Sequence, residues 1–82
     1  MKVPRDINGS SLAKLLGKYK YEITRQTGSH LRLTTRLKGE HHITIPQHKP
    51  LKVGMLNGIL NDIASHLEIE KEGLIQELFY KK

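Results

Sequence analysis

Eighty-two residues carrying a net charge of +6 and no cysteine leave room for one small domain, residues 1–82, with a single core and no deep cleft between lobes. The missing cysteines exclude disulfide staples, thiolate metal sites and cysteine nucleophiles. A shallow surface site on a basic protein suits a polymeric substrate better than a small metabolite.

The chain opens with a helix signal. Asn8 is a candidate N-cap before Gly9-Ser10-Ser11, because its side-chain oxygen can accept an orphan backbone N–H. Leu12, Leu15, Leu16 and Tyr19 follow at i, i+3, i+4 and i+7, one apolar face of a short helix, with Lys14 and Lys18 on the polar side. The helix is expected to end between Gly17 and Lys20. Residues 21–27 then alternate, Tyr21 and Ile23 against Glu22 and Thr24, which predicts a strand. Gly28-Ser29 is a tight turn. In residues 30–35, Leu31 and Leu33 share one face while His30, Arg32 and Thr34 share the other. Lys38-Gly39-Glu40 is a second turn. A third strand over 41–45 places Ile43 and Ile45 inward and His42 and Thr44 outward, and Pro46 closes it.

Residues 46–54 read as a loop rich in Pro, Lys and Gly. A second helix is expected from Val53 to His66, with Leu56, Ile59, Leu60, Ile63 and Leu67 at helical spacing. Gly58 inside it, costly in a helix by about 1 kcal/mol against Ala, is read as a mark of close packing. A last helix from Glu70 to Tyr80 carries Leu74, Ile75, Leu78 and Phe79. The order predicts an α+β fold, α-β-β-β-α with an added C-terminal helix. Its three-stranded antiparallel sheet has the helices on one face. This is the arrangement of the double-stranded-RNA-binding domain. The open face then presents Glu22, Thr24, Gln26, His30, Arg32, Thr34, His42 and Thr44.

Charge is unevenly spread. Residues 1–55 hold eleven Lys/Arg against three acids, and residues 56–82 hold three Lys against five acids. A basic first two thirds points to a polyphosphate partner. The segment Met1–Asp6 is not followed by an apolar run, so no signal peptide is visible. No stretch approaches the roughly 20 apolar residues of a membrane span. The expected location is the cytoplasm, with no membrane partner.

Five histidines bring proton-transfer chemistry within reach. His30 opens a strand directly after a turn, held by the strand yet open to solvent. An exposed imidazole titrates near neutrality. It can take the proton of a ribose 2′-hydroxyl that attacks the adjacent phosphorus, or protonate the leaving 5′-oxygen. Arg25, Arg32 and Lys49 are candidates to stabilise the charge that develops on phosphorus. Spacing by itself favours a solvated strand residue, because Gly-Ser turns occur in many hairpins. A metal site built from His41, His42 and His48 is disfavoured. Adjacent strand residues point to opposite faces, and no Asp or Glu stands out as a third ligand. His66 reads as a surface residue. The loop Pro46–Pro50 and Lys52 can contact phosphate beside the second helix, or form a rigid connection made by two prolines.

Two segments carry a family resemblance. Arg25-Gln26-Thr27-Gly28-Ser29-His30 resembles the R-x-x-G-S-H signature of the HicA (YcfA-like) toxins. Ile45-Pro46-Gln47-His48-Lys49, followed by Leu51-Lys52, Gly54, Leu56 and Ile59-Leu60, is similar to that family's V-P-x-H-x segment and the helix start after it. Lys20 stands where the family usually has Gly, and His30 is followed by Leu31 where many members have a second His. The resemblance covers residues 7–67. It implies a double-stranded-RNA-binding-like fold and an mRNA-cleaving toxin of a type II toxin–antitoxin system. The residues themselves suggest metal-independent cleavage with no cofactor. The resemblance makes His30 the catalytic base. Gly28 is read from the turn as a turn former, and Arg25, Ser29, Arg32, His48, Lys49 and Lys52 are candidate RNA contacts. The resemblance also implies a HicB-type antitoxin, which electrostatics expects to be acidic and to cover His30. Two other readings share the same residues: a non-catalytic RNA-binding protein, and an interaction protein whose sheet face serves only a partner.

Overall fold

The computed structural model describes residues 3–47 and 50–80. The element order is α1 (Gly9–Leu15), a 3-10 turn (Leu16–Tyr19), β1 (Glu22–Thr27), β2 (His30–Thr35), β3 (His41–Pro46), α2 (Val53–Leu67), and α3 (Lys71–Ile75) running into a π-helical turn (Gln76–Tyr80). The three strands form one antiparallel sheet in the order β1-β2-β3. The predicted α-β-β-β-α order with a C-terminal helix is therefore the observed one.

The alternation in β2 and β3 explains the two-layer packing. Leu31, Leu33, Ile43 and Ile45 are buried on one face. They meet Leu12 of α1, Leu16 of the 3-10 turn, and Leu56, Leu60, Ile63 and Leu67 of α2, in one cluster that Leu74, Ile75 and Leu78 extend. Buried aliphatic side chains of this kind contribute roughly 1.5–3 kcal/mol each against exposure. Thr35 is the one buried polar residue among those described. Its hydroxyl donates to the Tyr19 carbonyl at 2.9 Å and accepts from the Leu37 amide at 3.1 Å, so its burial leaves no orphan.

Several local expectations are corrected. Asn8 occupies the N-cap with extended backbone, and its carbonyl accepts from the Leu12 amide, but its side chain makes no capping bond. Ile23 is 54% exposed, because β1 is an edge strand whose six residues are all exposed. Gly58 does not mark close packing: a β-carbon there would meet nothing within 4 Å. Close approach occurs at Gly9 instead. A β-carbon at Gly9 would lie under 3.0 Å from the Pro46 carbonyl oxygen and 3.2 Å from the Ile45 side chain. Lys20 ends the first helical segment in the left-handed region, φ 67°, a conformation that glycine adopts without steric cost.

Candidate nucleic-acid interface and active site

The face of the sheet opposite the helices carries the site. His30 is the first residue of the central strand, and its ring is exposed. In the sheet it sits between Thr27 of β1 and Pro46 of β3. The turn before it is fixed by Gly28 at φ 49°, a positive value suited to glycine. The Ser29 carbonyl accepts from the Gln47 amide at 2.7 Å, tying that turn to the end of β3. The Ser29 hydroxyl lies 3.4 Å from His30 Nδ1.

A bulge in β1 reshapes the neighbouring rung. The pairing runs Ile23↔Leu33 and then Arg25↔Arg32, leaving Thr24 as the extra residue. A bulge sets two residues against one. Arg25 thereby sits directly opposite Arg32 on the open face, with Thr44 on the far side of Arg32. Past the bulge the alternation inverts. Gln26, expected on the open face, pairs with the inward residue Leu31 instead. Thr24 stays on the open face, its hydroxyl 2.9 Å from that of Thr34. Two guanidinium groups placed opposite each other repel, and an anion between them removes that repulsion.

The next rung holds Thr34 and His42. His42 Nε2 donates to Glu40 at 2.8 Å, and its Nδ1 accepts from the Thr34 hydroxyl at 2.8 Å. With Glu40 accepting, these partners orient the ring and define its tautomer. Arg25, Arg32, Arg36, Glu40 and His42 line one shallow concavity. Arg36 and the Glu40–His42 pair went unrecognised in the sequence reading. Period-two spacing carried the signal, since Arg32, Thr34 and Arg36 continue one face.

His41 points the other way, as adjacent strand residues must. Its Nε2 donates to Asp62 at 3.2 Å, its Nδ1 accepts from Tyr21 at 2.7 Å, and its ring stacks on His66 at 4.3 Å. His66 Nε2 donates to the Leu37 and Gly39 carbonyls at 2.9 and 3.1 Å. His66 is therefore a brace for the β2–β3 turn, not simply a surface residue. Tyr21 is 3% exposed. Burial, with a smaller push from the Asp62 carboxylate, raises its phenol to about 12. Asp62 and Glu40 are thus each held by a single histidine. Among the described residues no group of three His, Cys, Asp or Glu is placed to hold a metal ion.

Of the remaining candidates, Lys52 is exposed immediately before α2. His48 and Lys49 lie outside the described residues. No helix among the described residues is long and apolar enough to cross a membrane.

Fold and site define a small α+β protein with one buried face and one open, arginine-bearing sheet face headed by a histidine. The family model of the HicA toxin of bacterial toxin–antitoxin systems matches residues 9–64. The chain belongs to that family, and membership implies an antitoxin partner. No curated protein and no solved structure matches the chain.

Proposed function

We propose that this HicA-family toxin is an endoribonuclease that cleaves mRNA without a metal ion, with His30 as general base. The observation that carries the reading is the position of His30. An exposed, titratable ring heads the central strand one step from the Arg25–Arg32 rung on the open face. In the reaction His30 takes the proton of a ribose 2′-hydroxyl, and the oxygen attacks the adjacent phosphorus. The bond to the 5′-oxygen breaks, leaving a 2′,3′-cyclic phosphate, and the departing oxygen takes up a proton. Arg25 and Arg32 attract the backbone and stabilise the extra charge on phosphorus. Ser29 and Gly28 hold the turn that presents the ring. The HicB-type antitoxin is read as an acidic protein that covers His30 and the arginine rung.

The test is His30→Ala, assayed on RNA with EDTA present. The substitution is on an exposed residue, so the fold and salt-dependent RNA binding are expected to persist. Cleavage is expected to fall by about 100-fold or more. A variant that cuts at the wild-type rate refutes the base assignment. A wild-type protein that binds RNA at low salt and never cuts it is a non-catalytic RNA-binding module instead.

A further inference from the structure

The open face continues around the free edge of β3 into a groove of about 500 Å³ between that strand and α2. Arg32, His42 and Thr44 form its sheet wall, and Met55, Ile59 and Asp62 its helix wall. Gly58 lies between the helix-wall residues. Positions 55, 58, 59 and 62 share one side of a helix, so the groove follows that side.

Two features of this side are unfavourable for stability. Met55 is apolar yet 41% exposed. Gly58 lies in the interior of a 15-residue helix, where glycine costs about 1 kcal/mol against alanine. No neighbour requires that glycine, since a β-carbon would meet nothing within 4 Å. Its effect is to leave the groove unfilled. The groove offers a flexible thioether and an aliphatic wall to a flat apolar surface. It offers the Thr44 hydroxyl and the Asp62 carboxylate to a polar edge. A group with apolar faces and a polar edge, attached to an anion near Arg32, is a nucleobase on an RNA strand.

We propose that this groove seats a nucleobase of single-stranded RNA beside the cleaved bond and so gives the toxin its sequence preference. The proposal rests on the ribonuclease reading above. The groove adjoins the His30 face, and an apolar wall beside a hydroxyl, a carboxylate and the Arg32 cation matches a base joined to a phosphate rather than the carboxylates of an acidic partner. The Arg32–Thr44 rung is two residues from the His30 rung, about 6.6–6.8 Å along the strand. That is the scale of one nucleotide repeat.

The experiment compares Gly58→Leu with wild type on a mixed-sequence RNA, reading the cleavage rate at every site together with the thermal midpoint. Gly58→Leu fills the groove from a helical position with open space around it. Rates at preferred sites are expected to fall about 10-fold or more, and the preference to flatten. Met55→Glu, on an exposed position, is judged by the same readout and keeps the test decisive if the leucine variant fails to fold. An unchanged cleavage pattern in folded variants overturns the groove assignment. So does a pattern unchanged while the cognate antitoxin loses affinity, which would give the groove to a protein. Cleavage that persists in His30→Ala overturns the underlying reading instead, so the two failures are distinguishable.

Discussion

Gly9→Ala is expected to be among the most destabilising single-methyl additions in the molecule. The new β-carbon would approach the Pro46 carbonyl oxygen closer than 3.0 Å, with the Gln47 Cα and the Ile45 side chain both at 3.2 Å. Two of these three neighbours are backbone, so no rotamer change relieves the clash. The start of α1 must retreat by roughly 1 Å to reach ordinary contact distance. Leu12 and Leu16, both fully buried, move with it and lose packing. Overpacking against backbone places the cost near the upper end of the usual range, about 2–4 kcal/mol. The smaller entropy of an alanine-bearing unfolded chain returns about 0.4–1 kcal/mol. A net loss of about 2–3 kcal/mol lowers the melting temperature by roughly 10–20 °C in a domain of this size. Urea unfolding followed by far-UV circular dichroism measures it, with an unchanged slope required for the comparison. Gly58→Ala is the internal contrast. With open space at its β-carbon, it should gain about 0.5–1 kcal/mol. A Gly9→Ala midpoint within about 0.5 kcal/mol of wild type would refute the claim that α1 docks on the end of β3 through that glycine.

Two further outcomes follow from single residues. Lys20→Gly should stabilise by about 0.5–1 kcal/mol, because it removes a side chain from a left-handed position at φ 67°; a loss of stability in chemical unfolding would argue that the lysine makes a compensating contact. For Tyr21 the folded-state phenol is raised from 10.0 to about 12. The folded protein therefore holds that proton more tightly than the unfolded chain. The resulting stability is complete below pH 10 and is lost as pH rises toward 12. Two units set a ceiling near 2.7 kcal/mol, which solvent at the hydroxyl end reduces to about 1–2 kcal/mol. Tyr21→Phe should show a shallower alkaline loss than wild type, and parallel curves from pH 9 to 12 would contradict the assignment.

The fold was legible because each strand and helix repeats its own period. Leu31-x-Leu33 and Ile43-x-Ile45 alternate cleanly, and Leu56, Leu60, Ile63 and Leu67 recur as a helix stripe, so the sheet-on-helix packing followed. His30, Arg32, Thr34, His42 and Thr44 fell on the open face for the same reason. Periodicity could not register what happens between elements. The role of His66 depends on two carbonyls, of Leu37 and Gly39, that approach it from another part of the chain. Gly9 and Gly58 are the same residue in two helices, and only the neighbouring atoms separate a glycine that permits contact from one that leaves a gap.

The bulge at Thr24 is the most informative of these features. Without it, strict alternation would turn Arg25 toward the helices and leave Thr24 and Gln26 outside. With it, Arg25 and Arg32 become direct cross-strand neighbours on the open face. That pairing works against stability, since like charges opposite each other repel in an antiparallel sheet. The other face already supplies the core, with Leu33 and Ile45 fully buried beneath it. The open face therefore contributes little to folding and can tolerate the repulsion. Bulges recur next to functional sites because they re-aim a side chain, and here the re-aimed side chain completes a pair of cations one rung from His30. A phosphate between the two arginines would turn the repulsion into charge-assisted hydrogen bonding. The bulge thus links an irregularity in the edge strand to the anion-binding task proposed for the face.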